Sequence, residues 1–232
     1  MPHDLLLSSG FLAFARHVGV VQAIEAADMP IDAVVGTSSG ALVGALWAAG
    51  HSGAHLEVLL QSRQPWQLLR PHTRPWQGAM SMQALVAFLR PLLPETFAQL
   101  PRPLAVGVVA HRGQHQLLRS GPLVEAVTAS CAMPYVFAPV QIGTTRYQDG
   151  GAADRMGLDA WRAWRPDRQA LAHEVARTAG VDVRADLTGV SVVQTPRSGA
   201  SFFSLGDFSR QVAEARALAE TAIRTLQTAP AA

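Results

Sequence analysis

The sequence predicts an α/β fold, a mostly parallel central sheet flanked by helices, and three observations carry that reading. The apolar segment Leu5-Leu6-Leu7 ends in a glycine turn at Gly10 and is followed by helical periodicity from Ala13 to Ala27. A second apolar run, Ala33-Val34-Val35, passes through Gly36-Thr37-Ser38-Ser39-Gly40 into a small-residue helical pattern from Ala41 to Ala49. Strand, helix, strand is a right-handed crossover, so the two strands are expected to be parallel neighbours with both turns on one edge of the sheet. The third observation is composition: 232 residues, 49% hydrophobic and 16% charged, are enough for one sizeable core and exclude a disordered, solvating chain.

The remaining elements follow in order. His55 to Gln61 has helical spacing, whereas the Pro-, Trp- and Arg-rich segment from Pro65 to Gly78 is not a regular helix. Helical spacing resumes over Ser81 to Leu89. Leu104 to Ala110 reads as a strand, paired with Gln114 to Arg119 in a hairpin around Arg112-Gly113, and Leu123 to Ala132 as a buried helix closed by Pro134. A short strand at Arg146-Tyr147-Gln148 runs into Asp149-Gly150-Gly151. Asp167 to Thr178 reads as a polar helical stretch, Gly189 to Gln194 as a strand, and Phe208 to Leu226 as an amphipathic helix with Leu218 and Ile223 facing the core. Trp161, Trp164 and the Arg197 to Asp207 loop carry no assignment.

All 19 basic residues are arginine, which fits codon bias in a GC-rich genome, and a net charge of +2 gives no argument for nucleic acid as a partner. The single cysteine, Cys131, forms no internal disulfide and fits a reducing compartment. Met1 to Gly10 does not read as a secretory signal and no apolar run is long enough to span a bilayer, so a cytoplasmic location is expected. No Cys/His spacing suggests a metal, and no cofactor is expected.

A serine on a sharp turn between strand and helix has its hydroxyl lifted clear of the backbone, with the helix N-terminus favouring negative charge nearby. Gly36 and Gly40 keep Cβ atoms out of that turn. Such a serine needs a base. Eight histidines are available, none in a loop after a late strand; His173, in the polar stretch, reads as exposed. Asp149 ends a strand, and Gly150 and Gly151 after it permit close approach of another loop.

Taken together, Gly36-Thr37-Ser38-Ser39-Gly40, Ala129-Ser130-Cys131-Ala132-Met133-Pro134 and Asp149-Gly150-Gly151 resemble the motifs of the patatin-like phospholipase family, in the family's order. His17-Val18-Gly19-Val20 is similar to its first helix, and Leu100-Pro101-Arg102-Pro103-Leu104 to the start of its central strand. The resemblance implies a three-layer sandwich forming one domain over 1–232, with the motifs within 4–153 and a divergent part over 158–232. It implies a serine–aspartate dyad, Ser38 as nucleophile and Asp149 as base, acting on a lipid or other acyl ester. It also places oxyanion donors in the first turn, here Gly10, Phe11 and Leu12; the Ser39 amide, at a helix start, is a further candidate by geometry.

This chain departs from the family in that turn. Ser8-Ser9-Gly10-Phe11-Leu12-Ala13 keeps only the middle glycine of G-x-G-x-x-G, a register starting at Ser9 keeps none, and neither restores the family's arginine. Ala152-Ala153-Asp154-Arg155-Met156 likewise lacks the usual asparagine and proline. Two alternatives to the hydrolase therefore stand: an impaired relative that binds lipid or a partner through the same cleft, and a serine hydrolase with a histidine base. A flap from Pro65 to Gly78 with the following helix, bearing Arg63, Trp66, Arg70, Arg74 and Trp76, is expected to make peripheral contact with a membrane.

Overall fold

Five strands pair in parallel through the centre of the molecule, the inner ones apolar on both faces, as a sheet covered by helices on both sides requires. The computed structural model describes residues 2–68, 70–73, 78–110, 113–177 and 186–228. Its elements in chain order are β1 (His3–Leu7), α1 (Phe14–Ala26), β2 (Ile31–Thr37), α2 (Ser39–Ala48), α3 (Gly53–Gln61), β3 (Arg70–Pro71), β4 (Met80–Ser81), α4 (Gln83–Leu89), β5 (Leu104–Ala110) and β6 (His115–Leu118). They continue with α5 (Leu123–Ser130), β7 (Val140–Ile142), β8 (Thr145–Asp149), α6 (Leu158–Trp164), β9 (Ala170–Val175), β10 (Val190–Thr195) and α7 (Phe208–Thr228).

The main sheet has the order β10-β9-β1-β2-β5-β8-β7, with β6 also pairing β5. The first five strands in that order are parallel, including the expected β1–β2 neighbours, and β6, β7 and β8 pair antiparallel. Alternate residues serve opposite faces. Leu5, Leu7, Val34, Leu104 and Val106 join the large core formed with α1, α2, α5 and α7, whereas Leu6, Val35, Ala105, Ala170 and Ala172 meet Met156, Leu158 and Trp161 around α6. Trp161 thus finds its place: it is buried, and its indole N–H donates to Asp4 at 2.8 Å, beside the Arg165–Asp4 ion pair.

The register on β5 positions the site. Val106 and Gly107 pair with both β2 and β6, so β2 and β6 lie on opposite edges of β5; Val108 and Val109 pair with both β6 and β8, which puts β8 on the β2 edge. β2 ends with Thr37 opposite Gly107, and β8, running the other way, ends with Asp149 opposite Val108. The C-terminal ends of the two strands meet head to head.

Two expectations need correction. The stretch around Asp167 to Thr178 is not a polar helix: Ala170–Val175 is strand β9, between β1 and β10, and His173 is fully buried. Parallel pairing on both edges covers its backbone, and that coverage overrides the weak helical periodicity of its polar flanks. Leu218 is 44% exposed, because α7 packs through Phe208, Gln211, Val212, Ala215, Ala219 and Ile223, a stripe that passes it by.

Candidate active site

Ser38 caps α2 with φ 56° and ψ −119°, a backbone conformation that a residue with a Cβ adopts only when its surroundings impose it. Here they are identifiable. A Cβ on Gly40 would stand 2.3 Å from the Leu7 carbonyl oxygen, and one on Gly36 would stand 2.5 Å from that of Gly40, so β1 and α2 close on the turn from both sides. The Ser38 amide donates to Ser130 Oγ at 2.8 Å, Ser130 Oγ donates to the Gly107 carbonyl at 2.6 Å, and the Cys131 thiol donates to the Ser38 carbonyl at 3.3 Å. Both polar atoms of the strained residue's backbone are therefore held from the end of α5. The sequence singled out that stretch only as a motif; its work as a clamp shows in the structure alone.

Asp149 is 5% exposed, with its amide donating to the Ala132 carbonyl at 3.0 Å. Burial raises its carboxyl pKa to about 6, against the opposing pull of the nearby Ser38 hydroxyl and the Gly151 amide, which favour the carboxylate. The Gly151 bond is 2.8 Å. Gly150 and Gly151 admit close neighbours: a Cβ on the first would meet the Gly107 backbone of β5, and one on the second the Ser9 side chain of the first loop. Burial beside Asp149 pushes the Cys131 thiol up, which makes it a poor nucleophile.

The first turn brings Gly10, Phe11 and Leu12 to the same cavity as Ser38, Ser39 and Asp149. Its carbonyls are occupied: Ser9 O accepts from Arg155 at 2.8 Å, Gly10 O from Ser39 Oγ at 2.8 Å, and Phe11 O from the Ser198 hydroxyl. Its amides are not. Among the described residues, the N–H groups of Gly10, Phe11 and Leu12 have no hydrogen-bond partner. Leu12, at φ 47°, takes a left-handed conformation that glycine would adopt at no steric cost. Arg155, which also bonds Ser9 Oγ at 3.3 Å and Val175 O, braces the turn from outside. A guanidinium thus reaches the turn from the segment after Asp149-Gly150-Gly151. The unassigned Arg197 to Asp207 loop covers the turn, with Phe202 edge-on to Phe11 at 5.1 Å.

Above these groups lies a cavity of about 630 Å³ whose walls include Leu42, Leu60, Leu68, Met82, Leu85, Phe88, Met133 and Phe137. The segment read as a flap contributes to that wall. Arg63 lies over the Phe88 ring, Trp66 is 51% exposed and Arg70 is exposed, while Arg74 and Trp76 fall outside the described residues. His173 cannot serve as base to Ser38: it is bonded on both ring nitrogens, to His17 and to Thr195. No group of three or more His, Cys, Asp or Glu among the described residues is arranged to hold a metal.

The fold and the site define a class, an α/β protein with a strained serine between strand and helix and a buried carboxylate facing it. A family model of patatin-like phospholipase matches residues 5–160. The chain belongs to the patatin-like phospholipase family. An uncharacterized NTE family protein of Mycobacterium bovis is 33% identical over 158 residues, 66% of this chain and 44% of that protein. Neuropathy target esterase sws of Drosophila persimilis is 40% identical over 62 residues, 27% of this chain and 4% of that one. The chain thus spans less than half the length of these relatives. Among solved structures, VipD from Legionella pneumophila superposes with a TM-score of 0.58 at 14% identity, covering 98% of this chain and 67% of VipD. ExoU in its complex with SpcU from Pseudomonas aeruginosa gives 0.53 at 14% identity, with 98% and 53% covered. These likenesses show the fold.

Proposed function

We propose that the chain is a lipid acyl hydrolase with Ser38 as nucleophile and Asp149 as its base. One observation carries the reading: a serine held in a strained turn faces a carboxyl whose pKa is raised to about 6, at the floor of an apolar cavity of about 630 Å³. A base with that pKa is charged near neutrality yet still basic enough to accept a hydroxyl proton. In the first step Asp149 takes the Ser38 proton as Ser38 Oγ bonds to the ester carbonyl carbon. The tetrahedral intermediate collapses by breaking the bond to the alkoxy oxygen, which leaves with the proton from Asp149. Water then repeats the sequence on the acyl-serine and releases the fatty acid. The free amides of Gly10, Phe11 and Leu12, with the Ser39 amide at the start of α2, are the donors for the oxyanion.

The apolar walls suit a long acyl chain, and the exposed Trp66 beside the cavity suits contact with a membrane surface. The neuropathy target esterase name of one relative agrees with ester chemistry. The alternative, an impaired relative that binds lipid or a partner, draws on the missing glycines of the turn; the braced carbonyls and open amides of that turn favour the enzyme. The deciding experiment exposes the protein to a fluorophosphonate and reads intact mass, with Ser38→Ala and Asp149→Ala in parallel. A single adduct, absent from Ser38→Ala and much slowed in Asp149→Ala, is expected. No adduct where a control hydrolase labels fully would transfer the assignment to the binding protein.

A further inference from the structure

Two histidines are buried behind the serine turn, and the acyl-transfer steps use neither. His17, on α1, and His173, on β9, are both fully buried, with ring centroids 4.6 Å apart. His17 Nδ1 lies 2.8 Å from His173 Nδ1, His17 Nε2 lies 3.2 Å from Ser39 Oγ, and His173 Nε2 lies 2.9 Å from Thr195 Oγ1. Burial lowers the pKa of His17 to about 3, with the Ser8 carbonyl opposing and Arg155 assisting. Burial lowers that of His173 as well, helped by His17 and Arg16, so both rings are neutral.

With both rings neutral, each carries a single ring proton, and the acceptors around them set where it sits. Ser39 Oγ has one hydrogen, and it goes to the Gly10 carbonyl, which can only accept. Ser39 must therefore accept from His17 Nε2–H. A neutral His17 then has a bare Nδ1, which accepts from His173 Nδ1–H, and the bare Nε2 of His173 accepts from the Thr195 hydroxyl. Four bonds run in one direction, from Thr195 to the Gly10 carbonyl. Because the peptide is planar and trans, holding the Gly10 carbonyl on Ser39 also fixes the direction of the Phe11 N–H, which points the opposite way from that carbonyl in a turn that lines the cavity.

We propose that His17, oriented by His173 and Thr195, is a positioning residue: through the Ser39 hydroxyl it holds the Gly10–Phe11 peptide with its N–H aimed at the developing oxyanion. The proposal rests on the acyl-hydrolase reading above. It also accounts for how a turn without two of its glycines keeps its geometry: side chains beneath it hold what glycine flexibility does not.

The test has two independent arms. Nitrogen-15 NMR of histidine-labelled wild-type protein reads the tautomers without any substrate; His17 is expected as the Nε2–H form and His173 as the Nδ1–H form. Kinetics with p-nitrophenyl butyrate then compare His17→Phe, which keeps a ring but no donor, with His17→Gln, whose amide can both accept from His173 and donate to Ser39. His17→Phe is expected to lower kcat by roughly 10–100-fold with little change in KM, short of the ~10²–10³ for loss of an oxyanion donor, and His17→Gln to recover most of it. Thr195→Val, at the far end, is expected to lower kcat less with KM unmoved, and it carries the test should His17→Phe not fold. The proposal is overturned if His17 is the Nδ1–H tautomer, if folded His17→Phe or Thr195→Val turns over at the wild-type rate, or if His17→Gln does no better than His17→Phe. Wild-type protein with the expected tautomers but no labelling of Ser38 would instead overturn the hydrolase reading, and the positioning role with it.

Discussion

Replacing Asp149 with asparagine separates the chemical role of the carboxyl from its cost to the fold. An acid whose pKa is raised from 3.8 to about 6 by burial is harder to ionise in the folded than in the unfolded chain. Below the unfolded value it is neutral in both states and has no effect. As pH rises from there to the folded value the unfolded chain loses its proton first, and stability falls; above about 6 the loss is complete and constant. The full loss is about 3 kcal/mol, the 2.2-unit shift at roughly 1.4 kcal/mol per unit, and about half of it is in place by pH 5. An asparagine at this position cannot ionise and keeps the size of the side chain, so Asp149→Asn is expected to be more stable than wild type by up to about 3 kcal/mol at pH 8, with the gain shrinking toward pH 4. It is also expected to lose most of its reactivity toward fluorophosphonate, a stability gain bought with activity. Urea unfolding of both proteins at several values between pH 5 and pH 8 measures the difference. A difference that does not depend on pH, or a variant less stable than wild type at pH 8, would refute the account of Asp149 as a desolvated carboxyl.

The same raised pKa predicts an acidic limb in the pH dependence of kcat/KM for ester hydrolysis, with activity rising through about pH 6 as Asp149 loses its proton, and Asp149→Asn removing that limb. Ser130→Ala strands the Ser38 amide and the Gly107 carbonyl in a buried site; a loss of about 2–4 kcal/mol in denaturant unfolding is expected, with slower labelling of Ser38 even where the variant is folded, and full-rate labelling would show that the clamp is dispensable. Trp66→Ala is expected to reduce co-sedimentation with anionic phospholipid vesicles several-fold while leaving labelling by a small soluble fluorophosphonate unchanged; equal sedimentation would remove Trp66 from any membrane contact.

What the sequence disclosed was local. The β1-α1-β2-α2 start, the Ser38 turn and the Asp149 turn have short-range signatures, a change of apolar period or a glycine at a fixed offset, and these were legible. β9 was not: six residues carrying a histidine and a glutamate look like a surface segment until β1 and β10 flank them. With β9 misread, the His17–His173 pair was invisible, since its two members lie far apart in sequence. The Arg155 brace escaped for the same reason, because nothing near Asp149 signals that an arginine there reaches back to Ser9. Amphipathic spacing points Leu218 at the core, whereas α7 packs through a stripe of mostly smaller residues one position away.

The end-to-end meeting of β2 and β8 on one edge of β5 makes the distance between Ser38 and Asp149 a matter of counting. Were β8 to slip by two residues, Asp149 would move about 6–7 Å along β5, out of reach of the serine, and a slip by one would turn its side chain to the opposite face. The pair acts as a vernier on the sheet, aligned in one register alone. Strand segments from distant parts of the chain must complete their pairing before the two groups meet, so a partly folded chain with an otherwise intact β1-α1-β2 unit has a serine but no partner for it. On the reading proposed above, hydrolytic competence would then require β5 and β8 to have paired, not the β1-α1-β2 unit alone.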